Sequence, residues 1–256
     1  MSMNRRPSEA QVVELFHLAF LQVLQARLDQ TRYVVKGGVN LRYFFDSRRY
    51  SEDIDLDAVA IEPWALAEKI DKVLASPVTS ALLRPGGLEV QEATKPKQTE
   101  TTQRWKVLIK VSGHREPVRT KIEFSHRSSD PRRLLEAVPD RIVAPYALRA
   151  PTMLHYLADA AIEQKVVALA RRSQTQARDV FDLELLLRTH REAVGVRLID
   201  EGTRAAAIDH AFDLPFEAFR DQVLPFLDTE VAELYDDPET WKQMQTSIAD
   251  RLAWTR

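Results

Sequence analysis

The sequence predicts an α+β protein: a mixed sheet with flanking helices over residues 1–150, followed by a helical bundle over residues 151–256. Three observations lead there. Short β-branched or alternating runs occur only in the first part, at Tyr33–Val35, Asp53–Asp57, Trp105–Val111 and Val118–Ser125. Apolar residues at helical spacing flank these runs, and from Thr152 that pattern continues almost to the end. The chain has 256 residues, enough to bury one large core or two smaller ones.

Ser8 is placed to cap a helix reaching Asp29, with Val12, Leu15, Phe16, Ala19, Phe20, Val23 and Leu24 recurring at helical spacing. The strand Tyr33–Val35 ends at Lys36-Gly37-Gly38, and a second helix follows through Val39–Phe45. A polar turn over 46–52 leads into Asp53-Ile54-Asp55-Leu56-Asp57. As a strand, that alternation puts three carboxylates on one face and two aliphatic side chains on the other. Pro63 opens a helix to Leu74, and the polar stretch Pro77–Thr102 reads as strand and loop. Trp105–Val111 and Val118–Ser125 form a hairpin turning at His114-Arg115-Glu116-Pro117. Pro131–Pro151 is a Pro-punctuated connection with short elements. Thr152 is placed to cap a helix to Arg172, a second runs from Gln176 to Arg188, and four more are expected at 203–211, 215–226, 228–235 and 238–253.

Composition excludes several classes of function. With 45% hydrophobic and 29% charged residues, the chain is neither a disordered polyampholyte nor a fibrous repeat. The absence of cysteine removes disulfides, thiolate nucleophiles and Cys-ligated metals. There are only 7 glycines, and no GxGxxG or GxxxxGK[ST] run occurs. The six histidines show no metal-ligand spacing, and no Ser-His-Asp or Cys-His arrangement competes for a catalytic role. The N-terminal stretch lacks the uninterrupted apolar core of a leader, and no run approaches the ~18 apolar residues of a membrane span, so a cytoplasmic protein without membrane contact is expected. The net charge of −2 hides a division. Residues 94–133 hold 11 Lys/Arg against 4 Asp/Glu, whereas residues 200–250 hold 3 against 13. The basic segment could track phosphates and the acidic one could meet a basic partner, although two solvated surfaces of opposite sign would read the same way.

The residues that carry chemistry are Gly37, Gly38, Asp53 and Asp55. Adjacent glycines between a strand and a helix let a ligand approach the backbone, and free N–H groups at the helix start suit a phosphate. Carboxylates at i and i+2 of a strand can share a hard cation such as Mg²⁺, whose shell is completed by substrate phosphates. A third acid on a neighbouring strand is available in Ile122-Glu123-Phe124. Singly, each feature also fits a turn or a solvated face; their order is what points to a site.

That order resembles the DNA polymerase β-like nucleotidyltransferase superfamily. The stretches Lys36-Gly37-Gly38-Val39-Asn40-Leu41-Arg42-Tyr43-Phe44 and Arg49-Tyr50-Ser51-Glu52-Asp53-Ile54-Asp55-Leu56-Asp57 look like the AbiEii/AbiGii toxin family, which includes the MenT toxins. A second block, Lys165 to Arg172 and then Ala177-Arg178-Asp179-Val180-Phe181-Asp182-Leu183, is similar to that family's C-terminal signature. The resemblance spans about residues 34–183 and includes no motif after about residue 190.

The resemblance implies Mg²⁺ on Asp53 and Asp55, with Glu123 as a third metal-binding acid whose weight is open because Asp is commoner there. It implies an NTP as co-substrate over Gly37 and Gly38, with Ser51 near the phosphates, Lys165 on the triphosphate and Asp179 completing the site. Asp57 is read as outside the metal pair. The spacing places Lys165 and Arg172 on one helix face and allows Arg178 and Asp182 to pair, a pattern a structural ion-pair network would also give. Related toxins imply the 3′ end of tRNA as acceptor, with blocked translation as the outcome and a cognate antitoxin as partner. Arg48, Arg49, Arg119 and Lys121 are then RNA-binding candidates. Two other readings stay open: transfer to a protein or small-molecule hydroxyl, and a catalytically silent nucleotide-binding regulator.

Overall fold

The computed structural model describes residues 7–127, 130–192 and 194–253, and for 194 and 195 the backbone only. Residues 1–6, part of the stretch read above for a leader, lie outside the described residues. The chain packs into two units. One comprises Met1–Phe44 and Tyr50–His155; the other comprises Phe45–Arg49 and Tyr156–Arg256. The structural boundary thus falls five residues after the change in sequence pattern, and a short segment ahead of Tyr50 goes with the helical unit.

Among the described residues, the first unit is built on a mixed seven-stranded sheet. Its strands are β1 (Tyr33–Lys36), β2 (Ile54–Ala58), β3 (Leu88–Gln98), β4 (Thr102–Val111), β5 (Val118–Ser125), β6 (Arg133–Ala137) and β7 (Thr152–Tyr156), in the order β3-β4-β5-β2-β1-β7-β6. β2 runs antiparallel to β1 and parallel to β5, and β1 runs parallel to β7. In β5 the alternation is strict: Val118, Thr120, Ile122 and Phe124 are buried, while Arg119, Lys121, Glu123 and Ser125 are not. The inner face packs on α1 (Glu9–Leu24), α3 (Pro63–Leu74) and α4 (Pro77–Leu83) around Phe16, Phe20, Ile70, Trp105, Ile122 and Phe124.

α1 begins where the sequence predicts. Ser8 accepts from the Gln11 backbone N–H and the Gln11 side chain accepts from Ser8 N–H, a reciprocal cap on two otherwise orphaned donors. Because this helix is buried on almost every side, its polar residues need internal partners. Glu14 takes Arg42 Nε at 2.7 Å and the Tyr146 hydroxyl at 2.8 Å; His17 takes Thr120 at 2.9 Å.

Two expectations are corrected. The stretch from Pro77 is a helix before it is a strand: Ser76 caps Val78 N–H and Pro77 sits in the first turn, but only Thr79 and Leu83 are buried, too few for a periodic signal. Thr152 opens β7 rather than a helix, and the helix begins at Ala158. Met153, Tyr156 and Leu157 fit a helical period as well as a strand, and the parallel pairing of Val34 with Leu154 decides for the strand.

The helical unit contains α6 (Ala158–Arg171), α7 (Ala177–Thr189), α8 (Glu201–Phe212), α9 (Phe216–Gln222), α10 (Thr229–Tyr235) and α11 (Pro238–Ala253); a short α5 (Asp140–Val143) belongs to the first unit, as does α2 (Gly37–Phe44). Val166, Leu169, Val180, Leu183, Phe219, Trp241 and Ile248 form the buried interior of the helical unit. Gln245 donates to the carbonyls of Ala211 and Leu214, which satisfies the end of α8.

Candidate active site

β1 delivers the chain to Gly37, which has φ +64 and begins α2. A Cβ there would lie 3.1 Å from Asp55 Oδ2, so a side chain would both strain the backbone and crowd the carboxylate. α2 is held through Asn40, Arg42 and Phe44 among others. Arg42 pairs with buried Glu14 and lies 4.0 Å over the Tyr50 ring. His155 Nδ1–H donates to Asn40 Oδ1 at 3.1 Å, and its ring stacks on Phe44 at 3.8 Å.

Strand register assembles the charges. Arg104 on β4, Glu123 on β5, Asp55 on β2 and Lys36 on β1 are successive cross-strand partners, so they form one row across the open face. Arg104 binds Glu123 at 2.6 Å, and Lys36 reaches diagonally to Asp57 at 2.5 Å. Asp53, just before β2, accepts from both the backbone N–H and the ammonium of Lys121. Ser51 donates to the Asp53 carbonyl at 2.7 Å, which tightens the turn carrying that acid.

Asp55 is different. Among the described residues its side chain makes no hydrogen bond or ion pair. Burial and the nearby Asp53 and Glu123 push its carboxyl above the usual range, against the opposing pull of Lys36 and Lys121. An unpaired carboxylate beside a second one, facing a glycine whose missing Cβ leaves room at its oxygen, fits a hard divalent cation. Asp53 and Asp55 would hold it. Among the described residues no three Asp, Glu or His side chains gather closely enough to hold a metal between them. Mg²⁺ needs only one or two carboxylates when phosphates supply the rest. Glu123 is engaged by Arg104, Asp57 by Lys36 and Asp53 by Lys121.

A second charged cluster lies in the helical unit. Lys165 donates to Asp179 at 2.9 Å and to Asp182 at 2.6 Å. Arg49 binds Asp182 through two bonds, of 3.1 and 2.8 Å. Arg172 lies on the same side of α6 as Lys165, 3.3 Å from Asp179 Oδ2, but without hydrogen-bond geometry, and among the described residues that oxygen is otherwise unsatisfied. Burial alone would raise the Asp182 carboxyl, but Arg49 and Lys165 bring it down to about 2. Arg178 donates to Gln176 at 2.7 Å.

The RNA-binding candidates separate by exposure. Arg48 and Arg119 are exposed, and Arg119 stands on the open face with Lys106 and Lys110. Lys121 is partly exposed and tied to Asp53. Arg49 is corrected: its side chain is 3% exposed and its guanidinium is committed to Asp182, so it is an internal ion-pair partner rather than a surface contact. Sequence reading missed the cationic partners of the acids. Lys36, directly before the glycine pair, was the one with a local signal; Lys121 and Arg104 required the strand register.

Among solved structures, the Helicobacter pylori protein JHP933 is similar, with 19% identity, a TM-score of 0.57, and coverage of 97% of this chain and 95% of that one. A second H. pylori structure, described as a candidate nucleotidyltransferase, has 19% identity and a TM-score of 0.56 over 94% of this chain and 95% of its own. These likenesses establish the fold. No curated protein matches the sequence. No helix among the described residues is long and apolar enough to cross a membrane. Residues 19–252 match the family described as the nucleotidyl transferase AbiEii toxin of type IV toxin–antitoxin systems, which covers most of the chain; the protein belongs to the AbiEii nucleotidyltransferase toxin family.

Proposed function

We propose that the protein transfers a nucleotide from an NTP to the 3′ end of tRNA, in a Mg²⁺-dependent reaction that releases pyrophosphate and stops translation, and that a cognate antitoxin restrains it. The observation that carries this reading is the unpaired Asp55 carboxylate beside Asp53 and opposite Gly37. Family membership supports nucleotidyl transfer and implies an antitoxin partner.

Asp53 and Asp55 hold the metal, whose role when bound is to neutralise phosphate charge and favour attack of the acceptor hydroxyl on the α-phosphorus. Lys121 keeps the Asp53 carboxylate turned toward the open face. The N–H groups at the start of α2 face phosphate, and Gly37 leaves the approach clear. Arg48, Arg119 and Lys106 offer exposed cations for an RNA backbone. For Lys165 and Asp179 a part in transfer rests on the resemblance, and Lys165→Met tests it by loss of transfer in a protein that still folds.

Purified protein is incubated with total tRNA, Mg²⁺ and each α-labelled NTP in turn. Label entering tRNA with wild type but not with Asp53→Ala supports the reading. Label entering protein or an aminoglycoside instead would move the acceptor to the second reading; Mg²⁺–NTP binding without any turnover would indicate a silent regulator.

A further inference from the structure

The turn that carries Asp53 is fixed from inside the first unit by a relay that crosses the sheet. Thr120, 5% exposed on the inner face of β5, donates its hydroxyl proton to the Glu52 carbonyl at 2.7 Å. Its single proton is thereby used. The 2.9 Å contact with His17 Nε2 must therefore run the other way, with Nε2–H donating and Thr120 Oγ1 accepting. This fixes the tautomer of a histidine that is 1% exposed in the middle of α1. The next residue, Lys121, binds both oxygens of Asp53 through its backbone N–H and its ammonium. Two adjacent β5 residues thus hold two adjacent turn residues, one from below the sheet and one from above.

The geometry points to His17 and Thr120 as positioning residues for the Asp53 carboxylate, and so as determinants of metal affinity, an inference that rests on the proposed metal role of Asp53. Neither side chain touches the open face. They act through the Glu52 carbonyl, whose orientation sets where the following Cα–Cβ bond points. Without the relay, the turn keeps its Ser51 bond but loses its inner anchor.

The test is a Mn²⁺ titration of the full-length protein, following free Mn²⁺ by electron paramagnetic resonance, with Asp53→Asn defining site-specific binding. Thr120→Val keeps shape and removes the hydroxyl; Thr120→Ser restores it. Outer-shell partners of metal sites are worth about 10- to 100-fold in affinity, so Thr120→Val is expected near about tenfold weaker and Thr120→Ser within about twofold of wild type. Hydrogen exchange over residues 51–53 should rise in Thr120→Val and return to the wild-type rate in Thr120→Ser, which a loss of general stability would not confine to that turn. Should Thr120→Val not fold, His17→Leu and His17→Gln make the same comparison, because glutamine can still donate. Unchanged Mn²⁺ affinity in folded Thr120→Val or His17→Leu overturns the inference. Wild-type binding that does not depend on Asp53 overturns the proposed function itself, and is distinguishable because it precedes any comparison of the relay variants.

Discussion

Arg49→Met separates two roles for one residue. The Arg49 and Asp182 side chains are 3% and 0% exposed and are joined by two bonds, so the substitution removes one partner of a buried pair. Breaking such a pair typically costs about 3–5 kcal/mol, since a buried charge is left uncompensated. Lys165 Nζ remains 2.6 Å from Asp182, which places the expectation at the lower end, about 3 kcal/mol. For a chain of this size each kcal/mol moves the midpoint by about 2–4 °C, giving a fall of roughly 6–12 °C in the transition that includes the helical unit. Acid response follows with a definite sign. Asp182 has a lowered folded-state pKa, so its stabilising contribution is present above the unfolded value and is lost as pH falls toward about 2. Without Arg49, burial regains weight and that loss begins at higher pH. The double variant Arg49→Met/Asp182→Leu, which leaves Lys165 with Asp179, should recover much of the lost stability. Differential scanning calorimetry from about pH 2 to about pH 8, beside tRNA affinity, checks all three. An unchanged midpoint together with weaker tRNA binding would refute the internal role and restore Arg49 as a surface contact.

Other expectations follow from the open face and its supports. Asp55→Asn should abolish transfer yet raise the thermal midpoint in divalent-free buffer at neutral pH, because the folded state raises that carboxyl's pKa and is penalised for keeping it charged; added Mg²⁺ should then stabilise wild type and not the variant. Gly37→Ala should cost about 1–2 kcal/mol through the left-handed backbone alone and weaken metal binding further by crowding Asp55, as read by calorimetry and Mn²⁺ titration. Burial lowers the His17 pKa to about 3, so the folded state resists the proton that the unfolded chain accepts near pH 6.5. Stability should therefore decline as pH drops below about 6.5, and His17→Gln should flatten that part of the urea-denaturation profile.

The site's outline was legible because its signals are local. The glycine pair and the i, i+2 acids are written within a few residues of each other, and β5 appears in the sequence with the bounds it has in the fold. The supports were not legible. Arg49 meets Asp182 across 133 positions, and His17 meets Thr120 across 103, and local patterning does not choose among the many acids and hydroxyls at such distances. The same limit explains Arg49 itself: beside a candidate site, an arginine reads as a phosphate contact unless its buried partner is known. β7 was hidden because five residues serve a strand or a helical turn equally well, and only the edge of β1 decides.

The most direct test of the central claim compares α-labelled with γ-labelled NTP on the same acceptor. If Asp53 and Asp55 support nucleotidyl transfer, α-label enters the acceptor, γ-label leaves as pyrophosphate, and both events vanish in Asp53→Ala. Label from the γ-position in the acceptor, or α-label transfer that survives Asp53→Ala, would contradict it.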